Sequence, residues 1–472
     1  MIGETARGRL GAVTKSALLL AALLLVPAPP ADPPAKLVEA WFKAKKPEDR
    51  EKARAAIEAA PPLEPGQVKA LRDQILAALA KAGRTVPGKG KNEWFDEATQ
   101  KRKEKELREK EPGFNEKGVW KGLYFADFDG RKGLVLGLHG GGVGAGDAGS
   151  AQGAFSGAIG SLGFSALFPE VLRKTERGWT DPPETEQWVM ELVKRARVSW
   201  GIDPDRVYVT GHSMGGFGAW AFGSIYADAF GGAASFAGAP LVYWVSGKQD
   251  VQAEAIVEGY LPNFRNLPLF VFQSLDDPQV KAPANVFACA ELKRMREKDP
   301  GGWELRYEEV NGLGHGFPKK GPKPGLEWAT RRPRNPRPEK IVWQPTREWK
   351  DTFYWLRWEE PWLDSLLTAT VDRARNAVDL AIESPRSPQP LKIRQEREER
   401  IQGISVYLDE RLFDLSREVV LVVEGKERYR GRPEPRLATL LRSCEEREDP
   451  GYAFALEARV GPPPPEPPKG PR

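Results

Sequence analysis

Hydrophobic residues return at every third or fourth position across residues 35–44 and 68–83, the spacing of one helix face, so residues 36–82 read as two amphipathic helices. EPGQ at 64–67 separates them and AGR at 82–84 ends the second. The run KRKEKELREKE at 101–111 is nearly all charged and reads as a solvated helix face. From about residue 118 the pattern changes. Short apolar runs occupy 132–141, 163–170, 205–211, 231–238, 267–274 and 303–310, with helical patterns between several of them, as at 184–200 and 282–297. Buried strands alternating with helices predict an α/β fold, a mostly parallel sheet with helices on both faces. Such sheets bind ligands at the carboxyl ends of their strands.

Residues 318–340 are rich in proline and base and read as an extended linker, with contact to a polyanion or a lipid surface as the functional rival. Strand patterns then follow at 340–346, 352–359, 376–383, 403–410, 418–425 and 452–460, interrupted by one helical stretch at 437–448. This predicts a β-rich accessory domain of sandwich type. The expected division is a leader over 1–31, a small helical segment over 32–112, the α/β unit over 113–325, linker and β-rich domain over 326–460, and a disordered proline-rich tail over 461–472.

Composition narrows the classes. A chain of 472 residues, 40% hydrophobic, accommodates two or three domains with sizeable cores. Its 71 Lys and Arg stand against 66 Asp and Glu, a balance that argues against a nucleic-acid partner. The two cysteines, Cys289 and Cys444, lie far apart and form neither a disulfide framework nor a metal-ligand spacing. Arg7, Arg9 and Lys15 precede the apolar run 17–26 and then small residues and prolines, the composition of a secretory signal. Ten helical residues cover ~15 Å, about half a bilayer core, so a cleaved leader is expected rather than an anchor. The expectation is an exported protein, periplasmic or extracellular, with no membrane span after processing.

The chain has three histidines, and each stands beside glycine: His139 in LHGGG, His212 in GHSMGG and His315 in GLGHGFP. Ser213 sits in the G-x-S-x-G pentapeptide of residues 211–215, with a strand pattern before it and a helix pattern after it, the context of a nucleophile elbow. A serine hydroxyl needs a base. The turn directs His212 away and leaves it to pack beside the elbow. His315, in a loop after the last strand pattern of the α/β unit, is the candidate base. Asp276 and Asp277 directly follow a strand pattern, and either can supply the acid that orients the imidazole. Residues 139–146, HGGGVGAG, also follow a strand. An oxyanion needs fixed N–H donors, which Gly141 or Gly142 can supply together with Met214. The glycine run lacks the Lys-Ser/Thr ending of a phosphate-binding loop.

With these motifs, residues 118–318 resemble the α/β-hydrolase fold. The stretch GIDPDRVYVTGHSMGGFGAW resembles exported esterases related to polyhydroxybutyrate depolymerases and feruloyl esterases, and also the catalytic domain of prolyl oligopeptidase-type serine peptidases. In such relatives the acid commonly lies in a G-x-x-D-x-x-V pattern, and SLDDPQV places Asp277 three residues before Val280. The resemblance therefore implies Ser213 as nucleophile, Asp277 as acid and His315 as base, with no metal or organic cofactor. Gln273-Ser274 depart from it, standing where relatives often have His-Gly.

Trp179, Tyr243, Trp244 and Tyr260 either line an acyl or aromatic pocket or pack the core's edge. Trp343, Trp349, Trp355, Trp358 and Trp362 are expected in the β-rich core and its seam, with a carbohydrate-binding face as the functional rival. The leading expectation is a serine hydrolase acting on a small-molecule or polymeric carboxylic ester. A peptidase with the same residues is second, weakened because only about eighty residues of the mature chain, helical in pattern, stand where those peptidases carry a propeller. A binding protein on a hydrolase scaffold is third.

Overall fold

The computed structural model describes residues 33–114, 116, 118–241, 260–383 and 398–461. The leader over 1–31, Tyr243, Trp244 and the tail from 462 onward lie outside the described residues. The described residues open with three helices, α1 (Pro34–Lys43), α2 (Pro47–Glu58) and α3 (Pro65–Ala82), followed by β1 (Lys89–Glu93) and α4 (Glu97–Lys110). The pattern missed α2 because only Ala53 and Ile57 of that helix are buried. In α4 only Leu107 is buried, in keeping with its charge.

The α/β unit contains β2 (Leu123–Asp127), β3 (Leu134–Leu138), α5 (Ala148–Ser161), β4 (Ser165–Pro169), α6 (Pro183–Trp200), β5 (Val207–His212), α7 (Met214–Ile225), β6 (Ala233–Phe236), β7 (Leu269–Ser274), α8 (Pro283–Lys298), β8 (Leu305–Val310) and α9 (Lys323–Ala329). Its eight-stranded sheet runs β1-β2-β4-β3-β5-β6-β7-β8. The pairs β1–β2 and β2–β4 are antiparallel and the pairs from β4 to β8 parallel.

Alternation along the strands divides the core. Leu134, Leu136, Leu138, Val207, Val209, Leu269 and Val271 face α6, α7 and α8 on one side. Val135, Tyr208, Phe270 and Phe272 face Phe155 and Ile159 of α5 and Leu326 and Ala329 of α9 on the other. With both faces covered, the strands read as continuous apolar runs.

The second unit has two sheets. One holds β10 (Thr352–Phe353), β11 (Leu356–Trp358), β14 (Ile404–Leu408) and β17 (Leu456–Arg459), in that order. The other runs β16 (Lys426–Gly431), β15 (Val419–Val423), β13 (Ala377–Glu383), β12 (Leu366–Asp372) and β9 (Lys340–Trp343). Trp343 joins them, 5.4 Å from Phe353 and 6.1 Å from Trp358 between ring centroids. Trp355 and Trp358 are buried too, so most of the tryptophan cluster is core; Trp349 is exposed. Helix α10 (Leu437–Arg447) packs Leu437, Leu440, Leu441 and Cys444 against Leu37, Val38, Trp41, Leu71 and Ile75, bringing the first helices onto the second unit.

Two expected boundaries are corrected. The sheet begins inside the helical segment, because β1 pairs with β2 from Lys89 onward. The stretch 326–340 is not an extended linker. Helix α9 crosses the 325/326 boundary with Leu326 and Ala329 in the α/β core. Beyond it, Arg334 is buried, donating to Asp205 Oδ1 at 2.6 Å and Asp449 Oδ2 at 2.9 Å, and Arg337 donates to Asp409 Oδ2 at 2.9 Å. Composition counts these arginines as free charge; the fold pairs them with carboxylates from both units.

Candidate active site

The site forms where loops leave the carboxyl ends of β3, β5 and β7 and follow β8. Strand β5 ends in the elbow. Ser213 has φ 58° and ψ −124°, strained for a residue with a side chain, at the junction of β5 and α7. Its N–H donates to the Phe236 carbonyl at 2.9 Å and its carbonyl accepts from Phe217 N–H at 3.0 Å. Glycine makes the turn possible: a Cβ at Gly211 would lie 2.1 Å from the Gly215 carbonyl oxygen, and one at Gly215 would lie 2.1 Å from that of Leu138.

The segments that the sequence leaves a hundred residues apart converge here. Ser213 Oγ lies 2.8 Å from His315 Nε2, and His315 Nδ1 lies 2.8 Å from Asp277 Oδ2. The Asp277 side chain is fully buried, and its Oδ1 accepts the N–H groups of Gln279 at 2.8 Å and Val280 at 2.9 Å. A carboxylate only accepts, so His315 carries its proton on Nδ1 and offers a lone pair on Nε2 to the serine.

The neighbouring Asp276 faces elsewhere. Its Oδ1 accepts from Gly312 N–H at 3.0 Å, Gly314 N–H at 3.2 Å and the Ser274 hydroxyl, clamping the loop that carries His315. That Ser274 hydroxyl bond, foremost, and the two backbone bonds hold the Asp276 carboxyl below the ordinary aspartate value. Gln273 braces the acid loop from inside. Its amide donates to the carbonyls of Ser274 at 2.8 Å and Val280 at 3.1 Å and accepts from Asn285 at 2.7 Å. A buried Gln-Ser pair thus ties the acid loop to α8. Residue spacing gave no signal for this network.

Gly141 and Met214 line a lobe of about 450 Å³ beside Ser213, together with Arg177, Phe217, Leu241 and Lys281. Gly142 pairs with Ala145 within the glycine loop, its carbonyl accepting the Ala145 N–H at 3.1 Å. A second lobe of about 370 Å³ lies between Leu138, Ala154, Phe155, His212, His315 and Phe317.

Trp179 is not in the cleft. It is fully buried, against Leu138 and the bare Cα of Gly218 on α7, and donates its indole N–H to the His139 carbonyl at 3.2 Å. Tyr260 lies near Asp364, with its hydroxyl 3.4 Å from that carboxylate. His139 is buried and holds the glycine loop. Its Nε2 accepts Val171 N–H at 3.2 Å, which leaves the Nδ1–H to donate to the Gly140 carbonyl at 2.8 Å. Burial lowers its pKa, so the ring is neutral.

A hydroxyl, an imidazole accepting from it and a buried carboxylate behind the imidazole can together move a proton off the hydroxyl and stabilise the imidazolium that results. The sheet order, the strand-to-helix elbow and the residues that meet above it define the α/β-hydrolase fold, and this chain has that fold.

No protein-family model and no curated protein sequence matches the chain. Solved structures do. A thermostable esterase is 22% identical over 45% of this chain and 59% of its own length, with a TM-score of 0.33. A phospholipase/carboxylesterase from Dyadobacter fermentans is 16% identical over 40% of this chain and 85% of its own, TM-score 0.31. An acetyl xylan esterase from Aspergillus awamori is 14% identical over 44% of this chain and 92% of its own, TM-score 0.31. These are likenesses of fold, and each spans less than half of this chain.

Proposed function

We propose that the protein is a serine hydrolase that cleaves carboxylic esters through an acyl-enzyme on Ser213. One observation carries the reading: an unbroken line of contacts, each 2.8 Å, from Asp277 through His315 to Ser213 on a strained elbow.

In this mechanism the Ser213 oxygen attacks the ester carbonyl as His315 Nε2 takes its proton. Asp277 holds the imidazolium. The oxyanion forms beside the amides of Met214 and Gly141, the glycine on the cleft wall. Collapse expels the alkoxide, which leaves as an alcohol with the proton from Nε2. A water then gives its proton to the same nitrogen and attacks the acyl carbon, releasing the acid and restoring the serine.

The test is Ser213→Ala against short p-nitrophenyl esters, with a fluorophosphonate probe on the unaltered protein. The expected outcome is labelling at Ser213 and a fall in kcat of about 10⁴- to 10⁶-fold in the variant. Undiminished turnover by Ser213→Ala would remove the proposal.

A further inference from the structure

The loop that carries His315 needs restraint. Gly312 has φ 84° and Gly314 φ 55°, conformations that glycine adopts freely, so the loop's sequence does not stiffen it. Asp276 accepts the amides of Gly312 and Gly314, and Ser274 Oγ that of Leu313. All of these contacts precede the histidine. At the histidine, whose ring Asp277 holds, the backbone anchor comes from the elbow: His212 Nε2 lies 3.2 Å from the His315 carbonyl oxygen.

A carbonyl only accepts, so His212 Nε2 bears the proton. The ring is held in turn. It stacks on Phe317 with centroids 4.5 Å apart and planes 29° from parallel, and its centroid is 4.9 Å from that of His315. Phe317 is seated against Phe155 and Phe236, both of them core residues, each at 5.6 Å.

We infer that His212 is a positioning residue for the proposed hydrolysis, its Nε2–H tethering the base loop to the elbow so that His315 Nε2 stays within hydrogen-bond reach of Ser213. The inference rests on the serine-hydrolase reading and adds a residue to it. Because His212 immediately precedes Ser213 in the chain, nucleophile and base are referred to one rigid turn. Burial, followed by the nearby His315, depresses the His212 pKa to about 4. The ring therefore stays neutral at working pH and adds no second positive charge when His315 accepts its proton.

The experiment compares His212→Phe, which keeps a ring against Phe317 but has no N–H, with His212→Gln, whose amide N–H reaches to a similar distance. Kinetics on a p-nitrophenyl ester are read alongside the rate of fluorophosphonate labelling. Displacing a reacting group by ~1 Å costs up to ~100-fold. His212→Phe is therefore expected to lose about 10- to 100-fold in kcat and in labelling rate, with KM within about twofold of the unaltered protein. His212→Gln is expected to recover most of the loss. Should His212→Phe fail to fold, His212→Asn, whose amide is too short to reach, replaces it in the comparison.

A Phe variant with full kcat, a loss confined to KM, or a Gln variant no better than its partner would overturn the tether and leave the hydrolase reading intact. Absence of labelling in the unaltered protein would overturn the hydrolase reading itself, and the tether with it.

Discussion

Replacing Asp277 by asparagine tests the acid assignment by exchanging one carboxylate oxygen for an NH₂, with almost no change of shape. Asp277 Oδ1 accepts two backbone N–H groups, from Gln279 and Val280, and Oδ2 faces His315 Nδ1 at 2.8 Å. An amide NH₂ cannot face two N–H donors, so the asparagine carbonyl must take the Oδ1 position and its NH₂ must face the histidine. A donor there makes Nδ1 the acceptor and moves the ring proton to Nε2. The nitrogen that should take the serine proton then already carries one. A tautomer reversal of this kind costs ~10⁴ in kcat, or about 5.5 kcal/mol of barrier. Asp276→Asn is the control, because all three of its contacts are accepted by one oxygen, which an amide carbonyl can replace. It should lose less than about tenfold, since only charge assistance is removed. Initial rates on a p-nitrophenyl ester near neutral pH, with melting curves to show that both variants fold, decide the matter. An Asp277→Asn protein that keeps more than about a hundredth of its kcat, or an Asp276→Asn protein that loses more than it, would refute the tautomer argument.

The seam between the two units makes a stability prediction. Asp449, almost fully buried, accepts from Arg334 and Arg197 at 2.9 and 3.0 Å, so Asp449→Asn takes a shared carboxylate from two buried guanidinium groups, leaving Arg334 with Asp205 and Arg197 with backbone carbonyls, and should cost ~3–5 kcal/mol. Over 472 residues the unfolding entropy is about 1 kcal/mol per degree, so calorimetry should show a single transition lowered by roughly 3–5 °C; separate transitions for the two units would contradict it. Burial alone would raise the Asp449 carboxyl, but Arg334 and then Arg197 hold it down at about 2, against an ordinary 3.8. Because the folded value is the lower one, this contribution is present above about pH 4 and is lost as pH falls from 4 towards 2, which acid titration of the unaltered and Asn proteins would separate. Gly215→Ala places a methyl 2.1 Å from the Leu138 carbonyl oxygen, a backbone atom that cannot turn aside, and should cost ~3 kcal/mol; an unchanged melting temperature would disprove that contact.

The seam also changes how the second unit is understood. Asp228, fully buried in the turn after α7, accepts from Lys350 at 2.9 Å and from Arg447, while Tyr452 donates to its backbone carbonyl at 2.8 Å. Arg265 and Asn266 of the α/β unit both donate to the Lys340 carbonyl at the start of β9. Removing the β-rich unit would take Lys350 and Arg447 from the buried Asp228 carboxylate, so deletion is a poor probe of its role. Single substitutions at the seam perturb it with the cores intact.

By itself the sequence determined what depends on neighbours along the chain. Short apolar runs between stretches of helical spacing identified the covered parallel sheet, and strand patterns with a single helical interruption the β-rich unit, because both signals lie in residues near one another along the chain. The elbow at 211–215 was legible because a strand can turn into a helix that sharply only where glycines replace side chains at fixed offsets. Fold resemblance, not spacing, favoured Asp277 over Asp276; the two are adjacent and chemically identical, and only the path of the loop decides which one meets an imidazole 38 residues away. The same applies to His212, which the expected direction of the turn left as a packing residue, and to Trp179, which sits against a glycine of α7 instead of a ligand. The arginines of 331–337 read as free charge for a like reason: whether a charge faces water or a buried carboxylate is a property of segments distant in sequence, and proximity in three dimensions is settled only when the whole chain has packed.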